Sequence, residues 1–144
     1  MNYQGSYCGR GCARIEDVNF NNISAMDTSR FLTVEVYGEA YVKNVTLENI
    51  RAGVAAMSYI DSDGEGQIEN LNLRNIEIVA CDRYSVYSEE MLRSRGAYLF
   101  QIRYGKQIEM EHVKLLGNFQ ETKGRFVCSE QAEVSLRNCN FDTE

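Results

Sequence analysis

Several features that define other classes of protein are absent or scarce in this chain of 144 residues. It contains no proline and no tryptophan, and its only histidine is His112. The lack of proline excludes collagen-like and proline-rich segments. No apolar run approaches the roughly 18 residues that a bilayer span needs, so no membrane partner is expected. The 15 Lys and Arg residues against 21 Asp and Glu residues leave no basic cluster for phosphates, so no nucleic-acid partner is expected.

The five cysteines do not form a recognisable framework. Their odd number and irregular spacing argue against a disulfide scaffold and favour reduced thiols. Cys8 and Cys12 lack the spacing and the second ligand pair of a structural zinc site, so no zinc is expected. The first six residues show neither the basic start nor the apolar stretch of a signal peptide. The location is therefore unknown: cytoplasmic if the chain is complete, and extracellular if it is a fragment of a secreted or surface protein.

One short phrase recurs along the chain and is its main signal. It reads apolar-x-x-apolar-x-apolar-x-Asn-apolar, with Gly117 at the Asn position in its fourth copy. The phrases alternate at a period of two, which is typical of strands. No long segment has the period of a helix. The coil phrases lie near 15–23, 42–50, 68–76, 110–118 and 131–141.

The Asn of each phrase stands where its strand ends. Asn tolerates the left-handed backbone of a sharp bend, and its amide can bond to the Asn one coil away. We expect these side chains to point inward and to satisfy one another as a stacked ladder. The ladder residues are Asn22, Asn49, Asn75 and Asn138.

The pattern predicts an all-β fold with a single domain over 1–144, a parallel β-helix solenoid of about five coils with an internal Asn ladder. Second strands are expected in 31–37, 55–60, 97–104 and 125–129, which are rich in aromatic and β-branched residues. A leucine-rich repeat is a weaker alternative because it places Asn one residue later and needs a helical segment. A β-sandwich is weaker because it needs a hairpin signal at each turn.

The phrases 42–50 and 68–76 resemble coils of the right-handed parallel β-helix superfamily, which includes pectate lyases, polygalacturonase-like glycoside hydrolases and phage tailspikes. The resemblance implies a right-handed solenoid and a polysaccharide partner. The polygalacturonase-like catalytic motifs are Asn-Thr-Asp, Asp-Asp, Gly-His-Gly and Arg-Ile-Lys, and none occurs here. Whether the chain is an enzyme is therefore open, and a non-catalytic role is favoured.

An insertion at 82–96 separates the third and fourth phrases and is rich in Tyr and Arg. Insertions in solenoids emerge on one face, which often binds ligands. Tyr rings stack on sugars, and Arg pairs with carboxylates or sulfates. The alternative is a loop that covers the solenoid flank or packs on a neighbouring subunit. The candidate ligand-binding residues are Tyr84, Tyr87, Arg93, Arg95, Tyr98, Arg103 and Tyr104.

Asp61, Asp63 and Glu65 are a weak calcium candidate, because carboxylate oxygens on a flexible turn suit that ion. The alternative is a solvated turn in which Asp and Gly serve the backbone. No other cofactor is expected.

Three functions follow as hypotheses. The first is a non-catalytic β-helix module, either carbohydrate-associated or structural. The second is a truncated portion of a pectin lyase-like or glycoside hydrolase-like enzyme that degrades polysaccharides. The third is a cytoplasmic scaffold that self-associates as a homo-oligomer through its coil ends or flank, where strand edges are open to pairing.

Overall fold

A computed structural model describes residues 13–28, 30–54, 58–80, 100–117 and 126–143. The insertion at 82–96, with Tyr84, Tyr87, Arg93 and Arg95, lies outside the described residues, as does Tyr98. The described part consists of strands joined by short turns. They are β1 (Arg14–Thr28), β2 (Thr33–Val36), β3 (Tyr41–Val54), β4 (Ser58–Ser62), β5 (Gln67–Ala80), β6 (Phe100–Arg103), β7 (Gly105–Leu116), β8 (Phe126–Glu130), β9 (Val134–Arg137) and β10 (Asp142–Thr143).

The chain alternates between two five-stranded sheets, and every strand pair in them is parallel. Sheet A has the order β1-β3-β5-β7-β9, and sheet B has the order β10-β8-β6-β4-β2. Each long strand of sheet A is followed by a shorter strand of sheet B, and the next strand of sheet A then lies one rung further along. This is the predicted parallel β-solenoid. Parallel pairing without helices in the described residues rules out the sandwich and the leucine-rich repeat for this part of the chain.

The apolar positions of the phrase fill the space between the two sheets. Leu73, Ile76 and Ile78 of sheet A and Ile60 and Phe100 of sheet B have no exposed surface. They alternate with outward polar residues because successive side chains of a strand point to opposite faces. The described residues include no helix with the length and apolar character that a membrane crossing requires.

A column of left-handed residues runs along sheet A and bends each of its strands. Its positive φ angles lie between 51° and 57°, as predicted for the Asn of each phrase. Strand pairing aligns these corners from rung to rung. The members are Asn22, Asn49, Asn75, His112 and Asn138.

The ladder itself forms only in part, and it does not lie inside. Asn75 Nδ2 donates to Asn49 Oδ1 at 2.6 Å, but Asn49 Nδ2 donates to Asn21 Oδ1 at 3.0 Å rather than to Asn22. Asn22, Asn49, Asn75 and Asn138 are all exposed. The expectation of inward side chains was wrong because the left-handed residue interrupts the alternation. At each corner two successive residues face outward before the next apolar residue turns in.

A second column of left-handed corners lies five residues earlier on the four long strands β1, β3, β5 and β7. Asn70 Nδ2 donates to Asn44 Oδ1 at 2.9 Å, and Asn44 Nδ2 donates to Asp17 Oδ1 at 3.1 Å. Gln107 holds the same position in β7 with a φ of 52°. Two columns divide each long strand into three short faces, which allows the strand to wrap around the core.

The fourth coil phrase is displaced by five residues from its expected alignment. Ile108, and not Val113, pairs with Leu71, so His112 lies in the column of Asn75 rather than in that of Asn70. The two columns are five residues apart, and the apolar pattern therefore matches nearly as well at either alignment. Gln107 and His112 replace Asn at both corners of this strand, which removes the marker that fixes the alignment elsewhere.

The exposed corner changes what a substitution of Asn75 is expected to do. Asn75→Ala should lower the free energy of unfolding by about 1 kcal/mol, chiefly because alanine is strained at a φ of 51°. Asn75→Gly loses the same bond to Asn49 but has no such strain, so it should lie closer to the wild type. Urea unfolding of both variants makes the comparison. Equal losses would show that the amide bond, and not the backbone, dominates.

Candidate functional site

The outer side of sheet B gathers charged and aromatic side chains around one ion pair. We call it the sheet B face and define it by Tyr37, Tyr59, Asp61, Arg103 and Tyr104. All five are partly exposed. Tyr59 and Asp61 alternate with buried residues of β4, which directs them away from the core. Tyr37 and Tyr104 directly follow β2 and β6, at the corner where the chain leaves sheet B.

The ion pair joins two adjacent strands. Arg103 Nε lies 2.6 Å from Asp61 Oδ1, and Arg103 Nη2 lies 2.7 Å from Asp61 Oδ2, so the contact is bidentate. The side chains are 40% and 15% exposed, respectively. The hydrogen bond and the charge of Asp61 raise the pKa of Arg103 further above its usual value. Asp61 thus fixes the guanidinium in one orientation and uses two of its five N–H donors.

Further acidic residues surround this pair. Strand pairing places Glu35 beside Asp61 and Glu130 beside Arg103. Partial burial raises the pKa of Tyr37, and the charges of Glu35 and Asp61 raise it further against the opposing effect of Arg103. The Tyr37 hydroxyl therefore stays protonated and can donate a hydrogen bond over the whole physiological range of pH.

Asp63 organises the turn between β4 and β5. Its carboxylate accepts the backbone N–H groups of Gly38 at 2.9 Å, Glu65 at 3.0 Å and Gly66 at 2.8 Å. Burial alone would raise the pKa of Asp63, but these backbone hydrogen bonds outweigh it and lower the pKa. The carboxylate stabilises the turn in the way that Asp commonly does.

The weak calcium candidate is not supported by this geometry. Asp61 is held by Arg103, and Asp63 is held by three backbone N–H groups, so the two carboxylates serve different partners. Across the described ranges, no group of three or more His, Cys, Asp or Glu residues is arranged to hold a metal ion. Asp63 therefore serves the turn, whereas Asp61, within β4, serves the ion pair.

Two aromatic residues of the sheet B face, Tyr104 and Tyr59, are oriented by contacts with neighbouring residues. Tyr104 has a φ of 58°, and its ring lies against Gly64, where an added Cβ would be 3.4 Å from Tyr104 Cε1. Tyr59 lies under the guanidinium of Arg30, whose Cζ is 4.8 Å from the ring centre. Such a cation–π contact orients the ring.

Of the candidate ligand-binding residues, the structure places Arg103 and Tyr104 together on this face. The other candidates lie outside the described residues. Sequence reasoning missed Tyr37 and Tyr59 as members of the site. The signal was present, since both residues lie in or beside segments predicted as second strands, at positions that alternate with apolar ones.

No protein-family model matches the chain, and no curated protein and no solved structure matches it. The assignment of the fold as a parallel β-solenoid therefore rests on the strand pairing of this chain.

Proposed function

We propose that this protein is a non-catalytic β-solenoid module that binds a polysaccharide on the sheet B face. One observation carries the proposal: three partly exposed tyrosines share this face with an arginine that a bidentate ion pair holds in place. Tyrosine rings offer apolar surfaces to sugar rings and hydroxyls to their oxygens. Arg103 keeps three N–H donors beyond the two that Asp61 accepts.

The rigidity of the face supports this proposal. Arg103, Tyr104 and Asp61 belong to strands or to the corners directly beside them. Sites on regular elements hold their side chains with little freedom, so a ligand loses less entropy in ordering them. Repeated rungs also present the face along a line, which suits a polymer made of repeating units.

The proposal includes a relation to the pectate lyase-like group of right-handed parallel β-helices. The repeated phrase with Asn at left-handed corners supports this relation. The function does not depend on it, because the site is argued from the geometry of this chain alone.

The test is binding to an array of neutral and acidic polysaccharides, followed by titration of the best ligand. Tyr104→Ala should weaken binding about tenfold, since an aromatic contact contributes roughly 1.5 kcal/mol. Thr46→Ala is the matched control, because Thr46 lies on the outer side of sheet A, and it should bind as the wild type does. If the protein binds no polysaccharide, or if the two variants bind the ligand with equal affinity, the proposed site is contradicted. Cleavage of the ligand would contradict the non-catalytic role and favour the enzyme alternative.

A further inference from the structure

An apolar cavity of about 200 Å³ lies at the β1 end of the solenoid, between β1 and β3 of sheet A and β2 of sheet B. Its described lining includes Phe20, Ile23, Val34, Leu47 and Ile50. Phe20 and Ile23 are 36% and 39% exposed, whereas Leu47 and Ile50, their partners on β3, are 8% and 6% exposed. Within the part of the chain that the structure describes, the first rung therefore leaves core positions uncovered that the next rung buries.

Arg30 is the one charged residue among the described lining residues. Its Nε is buried and has no hydrogen-bond partner within the described part of the chain. A buried donor without a partner is costly, and native structures normally satisfy such groups with protein, water or ligand. The donor at the edge of an apolar cavity therefore favours a ligand that supplies an anionic oxygen.

We propose that this cavity binds a small monocarboxylate with an unbranched apolar tail, its carboxylate accepting from Arg30. Pockets of this kind are mostly apolar and use a few polar groups to fix orientation. The cavity has room for a tail on the order of eight carbon atoms, since an apolar cavity of about 150 Å³ holds the six carbon atoms of benzene. The positive charge of Arg30 selects the carboxylate over a neutral or cationic head group. Arg30 also contacts Tyr59 of the sheet B face, but the cavity lies between the two sheets, so the proposal does not rest on polysaccharide binding.

Isothermal titration of the full chain with octanoate and with 1-octanol tests the head group. Octanoate should bind about tenfold more tightly than 1-octanol, because its carboxylate accepts a charge-assisted hydrogen bond from the buried Arg30 donor. From butanoate to octanoate, each methylene should tighten binding about fourfold. Arg30→Gln should remove the preference for octanoate and leave octanol unchanged. Equal binding of the two ligands by the wild type, or binding of neither, would overturn the proposal.

A pair of variants on β1 places the ligand. Ala25 lines the cavity and pairs with Ala52, so Ala25→Leu should fill the cavity and abolish octanoate binding. Ser24→Leu introduces the same side chain at the preceding residue, which is exposed, and should leave octanoate binding intact. Equal binding by both variants would place octanoate elsewhere and refute the site. A wild-type dimer that Ala25→Leu converts to a monomer would show that a second copy occupies the cavity, which would also refute it.

Discussion

Gly66→Ala should lower the free energy of unfolding by at least about 3 kcal/mol. Gly66 is buried in the turn between β4 and β5. A Cβ there would overlap the carbonyl oxygen of Val36 and lie 2.9 Å from the amide nitrogen of Tyr37. Both atoms belong to the backbone of the neighbouring rung, so no rotation of a side chain relieves the overlap. The turn cannot shift freely either, because Gly66 donates its N–H to Asp63 and accepts from the Ser62 hydroxyl.

Gly38→Ala is the matched control, because Gly38 also lies in a turn that leaves sheet B. Its φ is 59°, but a Cβ there would have no heavy atom within 4 Å. The loss should be limited to left-handed strain, about 1–2 kcal/mol. Urea unfolding measures both variants, and their midpoints should differ while the slopes stay equal. Similar losses in the two variants would mean that the close approach of Gly66 to Val36 relaxes at little cost.

The corners show how much of this fold can be predicted from sequence. Alternating apolar residues and Asn at 22, 49 and 75 led to a parallel solenoid, because strand period and left-handed tolerance are local properties. The outward direction of these Asn side chains was not predicted, because it depends on how the chain bends at each corner. The second column was missed although Asn44 and Asn70 lie between two apolar residues spaced three apart. That spacing is itself the signature of a corner with two outward positions.

Of the residues on the sheet B face, only Arg103 and Tyr104 were predicted as ligand-binding residues. The Arg103–Asp61 pair joins residues 42 positions apart. The pair depends on the register between β4 and β6. The segment at 81–99 lies between these strands in the sequence and breaks the regular repeat length, so the register cannot be inferred from the spacing of the phrases. The calcium hypothesis has the same dependence: an acidic turn resembles a set of ligands until the partners of its carboxylates are known.

The open β1 end could not be predicted either. Phe20 and Ile23 occupy apolar positions of the phrase that are buried one rung later, in Leu47 and Ile50. A sequence pattern shows that a residue faces the core but not whether another rung covers it. Burial at the ends of a solenoid depends on what lies beyond the last rung.

Phe100→Ala should lower the free energy of unfolding by about 3–5 kcal/mol, the usual cost of emptying a closed core position. Phe100 has no exposed surface. Its ring centre lies 6.3 Å from that of Phe31 in an edge-to-face contact and 6.2 Å from that of Phe141. Phe100→Leu keeps most of the apolar volume and should cost less, so the series separates lost volume from lost ring contacts. Thermal and urea unfolding give the losses.

Phe20→Ala is the internal control, because Phe20 is the same residue type at a core position of the open rung. It is 36% exposed, so truncation removes less buried surface and leaves no closed cavity. Its loss should be about half that of Phe100→Ala or less. A loss as large as that of Phe100→Ala would mean that Phe20 is covered in solution. The β1 end would then already hold an occupant, and the cavity beside Arg30 would not be free for a carboxylate. The two phenylalanines therefore test, by stability alone, the open end on which the binding proposal depends.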